Sequence, residues 1–191
     1  MGRRVLDAGE RMISSQRIRE VLEGAPTPPG ESLPAGVSDE ELVGFTQRTR
    51  IEMPDGLRDF LKITNGPCVA PGGLNGIRPV PRTELDIETR FQSYPDWLDR
   101  KWIPIAGDGC GNHYIIPTQR EYGDGYPVLF VDVGDSLDSP SYIVASDIWH
   151  FVVFLLEDEM CSTGWPFNKE FMLREDPDIL HYVGVPLPWQ T

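Results

Sequence analysis

Apolar positions fall into helix-spaced stripes in the first third of the chain and into short strand-length runs in the second. Residues 4–23 place Val5, Leu6, Met12, Ile13, Val21 and Leu22 at mixed three- and four-residue spacings among good helix formers, which predicts a helix ended by Gly24. Proline then interrupts at PTPPGESLP, residues 26–34. Proline has no amide hydrogen and a fixed φ, so it bars a helix interior and favours extended chain. Residues 26–36 read as a linker, and residues 1–25 as a helical extension set apart from the main fold. A second helix starts at Ser38, where Ser38 and Glu41 have capping-box spacing, and Leu42 and Phe45 share a face behind them. Met53-Pro54 opens a third, with Pro54 at the first helical position, where no donor is missed. Leu57, Phe60, Leu61 and Thr64 carry its stripe, and Asn65-Gly66 stops it, since both residues tolerate left-handed dihedrals.

Shorter runs follow. Leu74–Val80 reads as a strand, held to an edge or end by Pro79. Glu84–Gln92 reads as a helix and Tyr94–Trp102 as a tryptophan-rich helical turn. Ile103–Ala106, His113–Pro117, Val128–Val133 and Tyr142–Ala145 are each bounded by turn residues, as strands of a meander are. A last long helix follows Ser146, its expected cap, and carries Ile148, Trp149, Val152, Val153, Leu155 and Leu156. Residues 161–191 read as a tail that wraps the surface, with one short helix near Pro177–Tyr182. Helices, then antiparallel strands, then a helix specify an α+β domain: a central antiparallel-rich sheet with helices packed around it, over residues 37–160. Its expected core includes Leu57, Phe60, Leu61, Ile105, Ile115, Leu129, Val131, Trp149 and Val153.

Composition narrows the function classes. A chain of 191 residues with 40% hydrophobic residues buries a proper core, and its 19 Gly and 18 Pro stay below the low-complexity range. The longest apolar run, Phe151–Leu156, is far short of a membrane span. The N-terminus lacks the apolar core of a signal peptide, and Leu6 stands where a myristoylation pattern needs Ser or Thr, so the expected compartment is the cytoplasm. Cys68, Cys110 and Cys161 are odd in number and widely spaced, and imply no disulfide framework.

Charge changes the picture more. Thirty acids against 17 bases give −13. Between Glu121 and Asn168 there is no Lys or Arg, while nine acids occur. Such a surface repels nucleic acid and anionic membrane and attracts a basic protein partner.

Catalytic and metal motifs are weak. GDGCGN at 107–112 imitates a phosphate loop, but a strand follows where a helix N-terminus is needed, so it reads as a hairpin turn. Cys110 and His113 have the spacing of half a zinc site, without the other two ligands nearby. Asp132, Asp135 and Asp138 lack the alternating ligands and closing Glu of a calcium loop. No nucleophile elbow is present. No cofactor, metal or catalytic residue is assigned.

The order of signals resembles one known family. GVSDEELVGFTQRTRIEMPDGLRDFLKITNGP is similar to the opening of the SMI1/KNR4 family of the SUKH superfamily, through Met53, Pro54, Leu57, Phe60, Leu61, Asn65 and Gly66. WIPIAGDGCGNHYIIPT resembles its second hallmark, a strand, a Gly-Asp-Gly turn and a second strand, although Asn112 stands where many members carry Asp. VLFVDVGD and YIVASDIWHFVVFLLE match the later strand and closing helix, so the resemblance covers about residues 37–157. It implies an α+β fold without catalysis. Many bacterial members are immunity proteins that neutralise toxins, often nucleases, while fungal members are regulatory scaffolds. The expectation is therefore a toxin-neutralising binding protein, the alternative a scaffold for an endogenous protein.

The expected binding surface is drawn from turns between strands: Asp124, Asp135 and Asp138, with Asp108 beside them and Tyr122 and Tyr126 as apolar anchors. Aspartate is also favoured in turns for its own backbone hydrogen bonds, which is the competing reading of each.

Overall fold

A computed structural model describes residues 13–69, 71–161 and 168–190. In chain order the elements are α1 (Ser15–Gly24), α2 (Asp39–Thr49), α3 (Asp55–Ile63), α4 (Ile87–Ser93), α5 (Pro95–Arg100), β1 (Trp102–Gly107), β2 (His113–Pro117), β3 (Val128–Val131), β4 (Tyr142–Ala145), α6 (Ile148–Cys161) and α7 (Lys169–Glu175), with short 3-10 turns at Thr83–Leu85, Pro177–His181 and Pro188–Gln190.

The strands form one antiparallel meander in the order β1-β2-β3-β4. Ile103 faces Ile116, Ile115 faces Leu129 and Leu129 faces Ile143 across the ladders. Every position of β2 is buried, so both faces of the sheet are covered. Successive side chains point to opposite faces. His113 meets Tyr94 and Trp97 around α5, while Tyr114 meets Phe151 of α6 at 4.9 Å between rings. The sheet thus lies between α5 on one side and α6 on the other, an α+β architecture.

Capping follows the sequence closely at α2. Ser38 Oγ accepts from Glu41 N at 3.2 Å and Glu41 Oε2 accepts from Ser38 N at 2.7 Å. Helix α3 begins one residue later than expected, with Pro54 as its N-cap. It stops at Ile63, where Thr64 turns extended and donates its N–H to Phe60 O; Gly66, at φ 68°, turns the chain beyond the cap, while Asn65 does something else. Buried Asn65 donates through Nδ2 to the carbonyls of Ile77 (2.8 Å) and Pro79 (2.7 Å), and its Oδ1 accepts from Ile77 N at 2.8 Å. One side chain therefore stands where a neighbouring strand would be. That is why Leu74–Val80 is no strand but two isolated bridges, Leu74 to Ala106 and Gly76 to Asp86. The expected helix Glu84–Gln92 is likewise split at Asp86, whose Oδ1 caps α4 by accepting from Glu88 N at 3.1 Å.

Three further expectations are corrected. Asp147, not Ser146, caps α6: its Oδ1 accepts from His150 N at 2.9 Å. Trp149 is half-buried, whereas the other eight expected core residues are buried. The first helix is no appendage. Ser14 caps it by accepting from Arg17 N, so it begins at Ser15, and residues 4–12 lie outside the described residues. Ile18, Val21 and Leu22 are buried against α6, and Arg17 pairs with Glu157 of that helix. The cause is α6 itself. Residues 151–156 of α6 are all buried, so its apolar surface runs round the helix and needs cover on the side away from the sheet. Helix α1 supplies part of that cover. The tail supplies more: α7, which the sequence reading missed, brings Phe171 against Phe154 at 5.7 Å, and Met172 and Ile179 are fully buried. Trp165 and the Cys161 side chain lie outside the described residues.

Candidate functional site

A meander alternates its connections between the two ends of the sheet. The β1–β2 turn and the β3–β4 loop share one end, and the β2–β3 loop lies at the other. The expected binding residues are thereby divided: Asp108 and Asp135 belong to connections at one end, and Tyr122, Asp124 and Tyr126 to the loop at the other. Asp138 belongs to the β3–β4 loop but reaches Arg100, beside the start of β1.

Asp108 serves its own turn. Asp108 Oδ1 accepts from Cys110 N (2.7 Å) and Asn112 N (2.9 Å), and Oδ2 accepts from Asn112 Nδ2 (2.8 Å). Burial works against its charge, but these hydrogen bonds outweigh it and hold the carboxyl below the usual range. Asp138 accepts from Arg100 through its carbonyl at 3.0 Å and faces the same guanidinium with its carboxylate at 3.4 Å. Asp135 is exposed. Cys110 is exposed on the hairpin. His113 is buried beneath Tyr94 and Trp97, and burial, with Arg90 nearby, pushes its pKa down to about 4. The half zinc site is thus divided between an exposed thiol and a neutral packing residue. No group of three His, Cys, Asp or Glu side chains suited to a metal occurs among the described residues.

The other end holds a cleft of about 650 Å³. Pro54, Gly56 and Leu57 at the start of α3 form one wall, Ile116 of β2 lies in it, and residues 124–126 form a second wall. The β4–α6 junction, Ser146 to Trp149, closes a third side. The fourth is the tail, through Asp178, His181 and Tyr182. Its acids are Asp124, Asp147 and Asp178, its aromatic walls are Tyr126, Trp149 and Tyr182, and among the described residues no Lys or Arg lines it.

The tail fixes this geometry by occupying both backbone groups of Ser146. Buried Asp176 accepts from Ser146 N through Oδ2 at 2.7 Å, and Tyr182 donates its hydroxyl to Ser146 O at 2.8 Å. Val183 N donates to Tyr122 O at 2.9 Å, and Ile143 N of β4 donates to Pro186 O at 2.9 Å. The Tyr182 ring crosses the loop so closely that a Cβ on Gly125 would stand 2.1 Å from its hydroxyl oxygen. Gly123 and Gly125 are therefore close-approach residues on either side of Asp124.

Charge at the α6 start is organised as a pair. Burial opposes ionisation of both partners, but Asp147 Oδ1 lies 3.0 Å from His150 Nδ1, and their attraction holds the carboxyl below its usual range and lifts the imidazole above its own. Burial raises Asp176 and pushes Tyr122 and Tyr182 up to about 12. Arg120 lies over the Tyr126 ring at 5.1 Å, with its Nε 3.3 Å from the hydroxyl.

Of the expected six, then, only Asp124 and Tyr126 line the cleft, and Tyr122 anchors the tail by its carbonyl. Sequence reasoning missed Asp147, Asp178, His181 and Tyr182, and assigned Trp149 to the core. The tyrosines and glycines around Asp124 were the one local signal; nothing local tied residues 176–183 to that loop.

A comparison with protein families matches the SMI1 / KNR4 family (SUKH-1) over residues 36–153. No curated protein matches the chain. The matched region holds the α3, loop and α6 walls of the cleft, whereas Asp178, His181 and Tyr182 lie beyond it.

Proposed function

The chain belongs to the SMI1/KNR4 family (SUKH-1), and from that premise we propose that it is a cytoplasmic binding protein without catalysis that neutralises a cognate bacterial toxin by covering its working surface. The family is known for immunity-like and binding roles, and its domains are generally non-catalytic. The observation that carries the reading is the acidic, aromatic cleft, which has no Lys or Arg among the described residues of its lining. A nuclease toxin presents a basic surface to phosphates. A dense negative face competes for that surface and accelerates encounter by complementary potential.

The test is to look for a toxin gene beside this one and to co-produce the chain with the toxin domain it encodes. Protection of the host cells, together with a stoichiometric complex on gel filtration, is the expected result. Loss of protection in Asp124→Asn/Asp178→Asn, with folding intact, places the partner at the cleft. Absence of protection by the wild-type chain overturns the toxin reading and leaves the scaffold alternative.

A further inference from the structure

We propose that the cleft receives a single arginine side chain from the partner, flanked by apolar residues, and that the tail segment 178–183 sets this selectivity. The partner's identity rests on the binding reading above; the chemistry of the cleft does not.

Three observations converge. First, carboxylates beside aromatic faces are what a guanidinium takes: it forms planar forked hydrogen bonds to carboxylate and stacks on rings. Asp124 and Asp178 are exposed, Tyr126, Trp149 and Tyr182 are half-buried, and all five line one cavity. The molecule already uses one of these rings so, since Arg120 rests over Tyr126. Of the cations near the cleft, Arg120 is engaged by Tyr126 and lies in the field of Asp124, His150 is engaged by Asp147, and His181 lies 3.8 Å from Asp178.

Second, the four large exposed hydrophobic residues among the described residues include Leu180 (52% exposed) and Val183 (67%). Both belong to the segment that forms the cleft's fourth wall, and Val183 N is bonded to Tyr122 O. Neither lines the cleft itself, but both stand exposed on the segment that does, where apolar neighbours of a partner's basic residue would meet them.

Third, every one of these tail residues lies outside the region shared with the family, residues 36–153. The matched domain supplies three walls, and the segment beyond it supplies an acid, a ring and the exposed apolar pair.

The experiment needs no toxin. The full chain is titrated with acetyl-Gly-Arg-Gly-amide, with its citrulline isostere, and with acetyl-Leu-Arg-Leu-amide, following the Trp149 indole N–H signal by NMR. Saturable movement with the arginine peptide is expected, with citrulline binding at least roughly tenfold weaker because the charge and fork are lost. Asp124→Asn/Asp178→Asn should weaken arginine binding by about tenfold, each exposed carboxylate contributing a few-fold. Leu180→Ser/Val183→Ser should abolish the advantage of the leucine-flanked peptide while leaving the glycine-flanked one unchanged. Unchanged chemical shifts of buried Phe60 and Ile115 confirm that the variants fold.

No saturable shift, or equal binding of citrulline, overturns the arginine site. Arginine binding indifferent to Asp178, Leu180 and Val183 overturns the role of the tail. Peptide binding without protection from the neighbouring toxin sinks the toxin reading and leaves this site standing; protection without peptide binding does the reverse.

Discussion

Gly125→Ala adds one methyl group and should loosen the tail. The glycine lies outside the left-handed region, so backbone strain is not the issue. The new Cβ would stand 2.1 Å from Tyr182 Oη, 3.0 Å from Cζ and 3.2 Å from Cε1. A carbon needs about 3.5 Å, so the phenol must retreat by more than about 1 Å. It cannot do so and keep its 2.8 Å bond to Ser146 O. Losing that bond costs about 1 kcal/mol net, and forcing a packed ring aside costs about 1–3 kcal/mol more. Alanine returns about 0.5–1 kcal/mol by restricting the unfolded chain. The balance is a loss of about 2 kcal/mol. Tyr182→Phe alone should cost about 1 kcal/mol, for the hydroxyl bond. In that background the worst contact of the added methyl group is already gone, so the two changes together should fall short of additivity by about 1–2 kcal/mol. Urea denaturation followed by tryptophan fluorescence measures all four corners of the cycle. Additivity within about 0.5 kcal/mol would show that Tyr182 does not bear on the Gly125 position, and the tail wall of the cleft would lose its support.

Phe60→Ala removes a fully buried ring that meets Trp149 edge-on at 6.3 Å, and should cost about 3–5 kcal/mol in denaturant; a loss under about 1 kcal/mol would place that helix face wrongly. Asn65→Ala leaves the amide of Ile77 and the carbonyls of Ile77 and Pro79 without their partner and should cost about 3 kcal/mol, with increased hydrogen exchange at Ile77. His113, depressed to about 4, favours its neutral form in the fold, so its contribution is complete above the unfolded pKa of about 6.5 and drains as pH falls toward 4. Between pH 7 and 4.5 the wild type should lose about 2 kcal/mol more than His113→Phe, and parallel curves in the two proteins would refute the buried-neutral assignment. The two ends of the sheet are separated by charge variants: Asp124→Asn should slow partner association and lower its salt dependence, while Asp135→Asn should leave both unchanged, and the reverse pattern would move the docking face to the β3–β4 end.

Local signals made much of the fold legible. The capping box at Ser38 and Glu41, and the apolar runs bounded by turns at His113–Pro117 and Tyr142–Ala145, encode their elements within a few residues. The errors came where a distant group settled the outcome. Asn65 reads as a helix stop because Asn-Gly is one, yet its amide is spent twelve residues on, at Ile77. Asp147 rather than Ser146 is the cap because the helix starts at Ile148 and the Asp147 carboxylate reaches His150 N, while the Ser146 amide is held by Asp176, thirty residues away. The first helix looked detached because proline follows it, and nothing near it announces that α6 is apolar all round. The site was half legible for the same reason. Turn residues mark Asp124 and Tyr126 as surface, but the partners that make their loop a wall come from the far end of the chain. Strand count alone sets the turns of Asp108 and Asp135 at the end of the sheet opposite Asp124, because consecutive hairpins point opposite ways.

The pairing of α1 with α6 also bears on how the chain is made. Arg17 and Glu157 meet across 140 residues. At a synthesis rate of roughly 5–20 residues per second, α1 leaves the ribosome on the order of ten seconds before the helix it packs against. A ten-residue helix is marginal alone in water, so Ile18, Val21 and Leu22 travel through that interval uncovered. The four strands, local and antiparallel, are complete before α6 emerges; α6 must then recruit the oldest segment and the tail that follows it. Vectorial synthesis therefore makes all four strands available before α6, and the apolar face of α1 waits for its cover until that helix has been made.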